Sequence, residues 1–447
     1  MWGVYFRFLD LYFLRFPDIR HTTFHIRYSV YSSRKHDHSF FTYNALMPKY
    51  PLLKDAPLKN KKVLLRAGFD VPMENGKVVD TSRIEAMVPT MKYILEKGAA
   101  LIIMAHQGRP KGKADPALSQ KPLVPILKKL LKTEVDFAAP CAGEEAKKKA
   151  AALKPGQVLL LENLRFEPGE KEKKDPAFAK KLAALADLYV NDAFTNCHRD
   201  HASMTGVPEL LPAYLGFQAQ KEVENLSKVF LHPRHPVTLI VSGAKMETKV
   251  PVIEHFLDKA DSILVGGCIA NTFIAARGFD VGKSKYEEQW IEKAQEIMLE
   301  SEKDGMADVL VPRDAVVATE ATEKAQKLDL PVENIAGDMA IFDIGTVTVK
   351  RYVEIIEKSR TIVWNGPLGM HELNRFSHAT KRIAEAIARA TKKNKAVSII
   401  GGGDTLDFHE RYGYSLKTYT FVSTAGGAMM DLISGKVLPA LKALEKK

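Results

Sequence analysis

Cysteine is scarce in this chain: Cys141, Cys197 and Cys268 are the only three in 447 residues, and they lie far apart. No pair has metal-site or redox spacing, and nothing suggests a disulfide framework. The sequence therefore points to a reducing compartment, the cytoplasm. Long apolar runs are missing as well. No stretch reaches the roughly 18 apolar residues of a membrane span, so no membrane role is expected. There is no Walker A pattern, which argues against a P-loop enzyme. Zinc-finger spacing, RNA-binding signatures and dense basic helices are also lacking, so nucleic acid is not an expected partner. Internal repeats and low-complexity tracts are absent.

What remains is the profile of a globular protein, 46% apolar and 27% charged, long enough for two or three domains. The formal net charge is +11. With nucleic acid set aside, that excess suits small, highly anionic substrates. Residues 1–46 stand apart. They hold 13 of the 38 aromatic residues, yet show neither helical nor strand periodicity. Arg7, Asp10, Arg15 and Asp18 interrupt them, and they resemble neither a secretory signal nor a transit peptide. The expectation is a disordered extension, or translated sequence upstream of a start at Met47; an organelle-targeting or membrane-touching arm is the alternative.

From Lys62 onward short apolar runs alternate with amphipathic stretches of helical period. The runs begin at Val63, Leu101, Val158, Leu188, Thr238, Ser262, Asp308, Thr361, Val397 and Thr420. Runs apolar on both faces suit parallel strands covered by helices. The expected fold is α/β: two doubly wound, Rossmann-like parallel-sheet domains joined by a helical hinge. Phe217–Leu231 reads as that connector. The expected organisation is an extension over 1–46, one domain over 47–216, a second over 217–430, and a segment over 431–447 returning towards the first.

Ligands of open parallel sheets sit beyond the carboxyl ends of the strands. In the first half those ends carry cations: Arg66, His106, Arg109, Arg165, His198, Arg199 and His201. Arginine forks match carboxylate and phosphate oxygens. In the second half they carry glycine: Gly243, Gly266 and Gly267, Gly366 and Gly369, Gly401 to Gly403, Gly426 and Gly427. Gly401-Gly402-Gly403-Asp404-Thr405 reads equally as a capped turn or as a phosphate cradle, whose carboxylate implies an intervening Mg²⁺. Lys245 and Lys249 stand four apart, on one face of a helix start.

Several motifs occur together and in order: Gly108-Arg109-Pro110, Asn163-Leu164-Arg165-Phe166, Asn191-Asp192-Ala193-Phe194, Trp364-Asn365-Gly366-Pro367, the Gly401–Thr405 stretch and Gly435-Lys436-Val437-Leu438-Pro439. In these the chain resembles the phosphoglycerate kinase family from about Lys61 to its end. The resemblance implies a monomeric, hinge-bending glycolytic enzyme. It would move a phosphoryl group between 1,3-bisphosphoglycerate and ADP, giving 3-phosphoglycerate and ATP, with Mg²⁺. It implies Arg83, Lys245 and Gly403 as the catalytic set, and Arg66, Asp70, Arg83, His106, Arg109, Arg165 and Arg199 on the glycerate. Nucleotide contacts would be Gly243, Lys249, Gly267, Asn365, Glu372, Gly402, Asp404 and Thr405, with the metal on Asp404. Two other readings stand beside it: an acyl-phosphate kinase with another carboxylate substrate, and a non-catalytic basic binding protein.

The chain departs from the family pattern in places. Arg66-Ala-Gly68-Phe-Asp70 stands where an Arg-Val-Asp-Phe-Asn is usual. The carboxylate is thus moved two positions, to the same strand face about 6–7 Å along. Asp70 is expected to take over part of its role, through water in space left by Gly68. Thr195-Asn196-Cys197 replaces Gly-Thr-Ala, Thr346 replaces Pro, and Ala425 replaces Gly, adding a methyl beside the expected phosphate path.

Overall fold

The structure, a computed structural model, describes residues 50–74, 76–171, 175–231 and 233–445. The expectation for 1–46 lies outside the described residues. In chain order the first half carries β1 (Lys62–Arg66), β2 (Met73–Glu74), β3 (Lys77–Val78), β4 (Ala100–Met104), β5 (Val135–Ala138), β6 (Val158–Leu161), β7 (Leu188–Asn191) and β8 (Ala213–Leu215). β2 and β3 form a small antiparallel ladder. The other six make a parallel sheet in the order β5-β6-β4-β1-β7-β8.

The second half carries β9 (Val237–Ser242), β10 (Ser262–Gly266), β11 (Asp308–Leu310), β12 (Asp314–Ala318), β13 (Leu328–Pro331), β14 (Ala340–Ile344), β15 (Thr361–Asn365), β16 (Val397–Gly401) and β17 (Phe421–Ser423). Six of these form a second parallel sheet, β11-β10-β9-β15-β16-β17. β12 pairs antiparallel with β13 and β14 in a separate three-stranded sheet. The two parallel-sheet α/β domains expected from the sequence are therefore present.

Every apolar run named above forms a strand. Those of the second half make up the whole second parallel sheet, and those of the first half are the four inner strands of the first. The two edge strands, β5 and β8, had no comparable signal. Both are partly exposed, so neither needs a run apolar on both faces. β13 is mostly exposed too. The inner strands are the reverse case: Val63, Leu64 and Leu65 of β1 and Leu101 to Ile103 of β4 are fully buried. Each such side chain contributes roughly 1.5–3 kcal/mol of transfer free energy.

Each parallel sheet is wound outward in two directions from a central pair. In the first the reversal lies between β1 and β7, and in the second between β9 and β15. A crevice opens at such a point beyond the strand ends.

Phe217–Leu231 is a single helix of 15 residues. Its start is anchored to the first sheet. The Asp192 carboxylate, just past β7, accepts the Ala219 N–H at 2.9 Å, and Thr90 Oγ1 accepts the Phe217 N–H at 3.1 Å. Its apolar stripe, Ala219, Val223 and Leu226, joins one buried cluster with Tyr189 of β7 and Leu239 and Val241 of β9. On the same buried face Glu222 accepts the Thr424 N–H at 3.2 Å, beyond β17. Within the last helix of the chain, Pro439–Lys442, the Ala440 N–H donates to the Cys197 carbonyl of the first half at 3.2 Å.

The helix start leaves no space at Gly216, where a Cβ would lie 2.5 Å from the Asp192 carboxyl group. Gly216→Ala is expected to destabilise the protein by about 1–3 kcal/mol, the usual range for overpacking. A urea midpoint that does not move would contradict this account of the helix anchor.

Candidate active site

Beyond β1 and β4 the chain gathers charge. Arg66 ends β1 and is completely buried. Its Nε donates to Ser203 Oγ at 2.9 Å, and its Nη2 lies 3.2 Å from His106 Nδ1. Because a guanidinium can only donate, that imidazole nitrogen is the acceptor. The ring's other nitrogen, Nε2, then carries the hydrogen and faces Asp70 Oδ2 at 3.4 Å. Burial, then the neighbouring charges of Arg66 and Arg165, pushes the His106 imidazolium down to about 4 against the pull of Asp70. The ring is neutral at pH 7, with its tautomer set by Arg66.

Behind Arg66 lies Glu170, also completely buried. Its carboxylate accepts Ser203 Oγ at 2.7 Å and the Ser203 N–H at 3.0 Å. Burial alone would raise this carboxyl, but His201, Arg66 and Ser203 outweigh it and hold it below its ordinary value. Arg66 was expected on the substrate. It stands instead behind the face, where it orients His106.

Asp70 sits in the left-handed region at φ 29°, which Asp tolerates better than most residues. Its Oδ1 accepts the Gly108 N–H at 2.8 Å, and its carbonyl accepts Arg83 Nη1 at 2.7 Å. Burial opposes ionisation here, but His106, the Gly108 N–H and Arg83 prevail and hold the carboxyl far below the usual range. Arg165 Nη1 donates to the Gly108 carbonyl at 2.6 Å. Its Nε and Nη2 are buried without a partner, as are Arg199 Nε and His198 Nδ1. Arg109 is exposed. Burial, then Arg199 and Arg66, lowers the Arg165 guanidinium to about 10. Crowded cations and orphaned buried donors describe a basin for an anion.

The space expected at Gly68 is not there. A Cβ would lie 3.0 Å from Thr195 Oγ1 and 3.1 Å from Met87 Cε, and the Gly68 N–H points at the Met87 sulfur. Asp70 instead contacts His106 and the Gly108 N–H directly.

In the second half the crevice between β9 and β15 is stitched by polar groups. Ser242 Oγ donates to the Pro367 carbonyl at 2.5 Å. Lys249 Nζ donates to Asn365 Oδ1, and Asn365 Nδ2 donates to the Gly401 carbonyl at 2.8 Å. Thr405 Oγ1 accepts the Gly366 N–H at 2.9 Å and donates to the Gly401 carbonyl at 3.1 Å. Burial brings the Lys249 ammonium down to about 8 despite Asp404 nearby.

The glycines divide accordingly. A Cβ on Gly366 would meet the Ser242 carbonyl at 2.4 Å, one on Gly401 the Met429 sulfur at 2.4 Å, and one on Gly402 Asn365 Nδ2 at 2.8 Å. Those three are there for internal packing. Around Gly403 there is open space, so this one glycine of the triplet leaves its backbone approachable. It opens the nine-residue helix Gly403–Arg411, with exposed Asp404 in the first turn.

Beside this crevice lies a cavity of about 620 Å³, and Gly243, Gly267, Glu372 and Asp404 are in its wall. Lys249, Asn365, Gly402 and Thr405 are outside that wall and support it. Lys245 is exposed on the loop after β9. Sequence reasoning missed Cys268, Lys283, Lys285, Asp343 and His371, which also line the cavity. Asp343 did leave a trace: it is a lone acid within the run Ile341-Phe342-Asp343-Ile344. Among the described residues no cluster of three His, Cys, Asp or Glu could hold a metal by itself. The exposed Asp404 carboxylate suits Mg²⁺, which takes one or two carboxylates and completes its shell with phosphate oxygens and water.

Asp343 Oδ2 accepts the Ala379 N–H at 2.9 Å and Oδ1 the Ile344 N–H at 3.0 Å. Burial dominates these bonds and pushes the carboxyl up to about 8. Burial likewise raises Asp192 to about 6 and Glu222 to about 7. The folded state thus keeps protons on these three groups that the unfolded chain loses near pH 4, and their contribution to stability falls as pH rises from about 4 to 8. Asp343→Asn is expected to flatten part of that fall in urea midpoints taken at pH 5 and pH 8. An identical slope in the variant would mean that Asp343 is not protonated in the folded protein.

Comparison with known proteins gives one consistent result. Residues 53–436 match the family model described as phosphoglycerate kinase. The phosphoglycerate kinase of Moorella thermoacetica is 45% identical over 395 residues, covering 88% of this chain and 99% of that protein. That of Methylorubrum populi is 45% identical over 402 residues, covering 90% and 100%. The solved phosphoglycerate kinase of Coxiella burnetii superposes with a TM-score of 0.80 at 37% identity, over 88% of this chain and 98% of that one. The Pyrococcus horikoshii enzyme gives 0.74 at 32% identity, with the same coverage.

Proposed function

This chain belongs to the phosphoglycerate kinase family, and on that basis we propose how its own residues divide the reaction. The activity is reversible phosphoryl transfer between 1,3-bisphosphoglycerate and ADP, with a carboxyl group as acceptor in the reverse direction. The basin of Arg83, His106, Arg109, Arg165 and Arg199 binds the glycerate, and the cavity walled by Gly243, Gly267, Glu372 and Asp404 binds the nucleotide. One observation carries this reading: Arg165 Nε and Nη2 and Arg199 Nε are buried without partners. An anion satisfies them at no further desolvation cost to the protein.

The acceptor is a carboxylate, already ionised at neutral pH, so no general base is required. The work left is to align the reacting oxygens and to neutralise the transferring group. Lys245 and Arg83 supply cations from the two halves, and the open Gly403 backbone supplies an N–H. Mg²⁺ on Asp404, with the nucleotide phosphates, supplies charge neutralisation when bound. The two ligands start on different sheets, so the helix Phe217–Leu231 serves as the hinge about which 47–216 and 217–430 close and exclude water. The segment 431–447 belongs with the first half, as the contact from Ala440 to Cys197 supports. The enzyme acts as a monomer in the cytoplasm. Free Cys141, Cys197 and Cys268 support a reducing compartment.

ATP consumption with 3-phosphoglycerate and Mg²⁺, followed through a coupled dehydrogenase, tests the assignment. Lys245→Ala and Arg83→Ala are each expected to lower kcat by about 10²–10³-fold, the usual effect of losing a donor aimed at developing charge. Melting temperatures should stay within a few degrees, since neither side chain is buried. Full turnover in either variant would remove that residue from the catalytic set.

A further inference from the structure

The loop after β15 brings two unlike side chains to the cavity wall: His371, whose side chain is 5% exposed, and Glu372, whose side chain is 59% exposed. His371 is held from the helix Gly403–Arg411 and the residue after it. Its Nε2 lies 2.9 Å from Asp407 Oδ2, and its carbonyl accepts the Tyr412 hydroxyl at 2.8 Å. Burial opposes ionisation of Asp407, but His371 and Arg411 prevail and hold its carboxyl below its ordinary value. An ionised carboxylate only accepts, so His371 Nε2 carries the hydrogen of that bond. The ring's Nδ1 lies 3.4 Å from Glu372 Oε2. That contact is a hydrogen bond only when Nδ1 is protonated too, whereas the bond to Asp407 stands in either case. On the other side of the loop, the Met370 N–H donates to the Phe342 carbonyl of β14 at 2.7 Å.

Resting on the reading of this cavity as the nucleotide site, we propose that His371 is a positioning residue: by tying its loop to Asp407, it sets the Glu372 carboxylate for the sugar hydroxyls of the nucleotide. A carboxylate in this wall can only accept. The nucleotide phosphates are acceptors as well and repel it. The sugar hydroxyls are donors, and a carboxylate takes them in other open α/β sheets that bind nucleotides. Among the donors of a nucleotide they also lie nearer the phosphates than the base N–H groups do, and Asp404 in the same wall marks the phosphate end. Asp404, Asp407 and Arg411 stand at i, i+3 and i+7 of one helix, so they share a face. The helix that offers Asp404 to the metal thereby also fixes Glu372, through Asp407 and His371. One element sets the grip on both the phosphate and the sugar.

The test compares ATP with its 2′,3′-dideoxy analogue, which lacks both hydroxyls, in the coupled assay with 3-phosphoglycerate and Mg²⁺ on the full chain. The wild-type KM is expected to be about tenfold lower for ATP, the usual effect of a hydrogen bond to a charged group. His371→Phe is expected to raise the KM for ATP about tenfold and to leave that for the analogue unchanged, with kcat within about twofold. His371→Gln, whose amide N–H still donates to Asp407, is expected to recover most of the loss. Asp407→Ala removes the tether from its half-exposed end; the same selective loss is expected there, which keeps the test sound if the buried position tolerates no change. In a Glu372→Gln background, His371→Phe is expected to add nothing. A KM for ATP that does not move, or that rises equally for both nucleotides, overturns the proposal. So does a wild-type protein that does not distinguish them. Failure of the wild-type protein to turn over ATP with 3-phosphoglycerate overturns the reading of the cavity as well.

Discussion

Complete burial of the Arg66 guanidinium is the constraint around which the basic face is organised. A buried cation needs its donors satisfied and its charge balanced, and removing one partner of such a pair typically costs about 3–5 kcal/mol. Here Ser203 and His106 take its hydrogen bonds, and Glu170 supplies the opposite charge through Ser203. Each of those duties sets another group. His106 must accept at Nδ1, so it presents an N–H to the basin. Asp70 and the Gly108 turn follow from that N–H. A charge that never meets solvent thus dictates the tautomer of the neutral His106 ring, whose N–H faces the partly exposed Asp70.

The second half reaches order by other means. Among its described residues no completely buried guanidinium organises it, although the half-buried Lys249 ammonium joins Asn365. Backbones approach one another closely at Gly366, Gly401 and Gly402, and side-chain amides and hydroxyls bridge the strand ends. Such a frame is built mostly of neutral groups, and it leaves Asp404, Lys245 and Gly403 exposed. The two frames share the helix Phe217–Leu231. Asp192 holds its start to the first sheet, and Glu222 reaches the turn after β17. Both contacts use buried carboxyls, so the joint between the sheets is polar as well as packed.

Much of this was legible in the chain. The inner strands announce themselves because parallel strands buried on both faces must be continuously apolar. The cations Arg109, Arg165 and Arg199 stood out because several arginines at strand ends are hard to explain as surface salt bridges. β5, β8 and β13 were not legible, because exposed edges place few demands on composition. Asp343 and His371 were missed for a different reason. They reach the cavity only because β14 and the loop after β15 are folded against it.

The sequence by itself determined the α/β class, the alternation of strand and helix, and which residues would crowd the strand ends. Those follow from local periodicity and from the rule that strand carboxyl ends face the ligand. Only the tertiary structure decided which of those residues face the substrate and which stand behind it. Arg66 and Arg165 look alike in sequence, yet one is spent on His106 and Ser203 while the other keeps two donors unpaired. Gly402 and Gly403 are neighbours, yet one packs on Asn365 and the other borders open space. The reason is the same in each case: a hydrogen bond or a close contact is settled by partners from distant strands, such as Ser203 for Arg66 and Asn365 for Gly402, and no local pattern encodes their arrival.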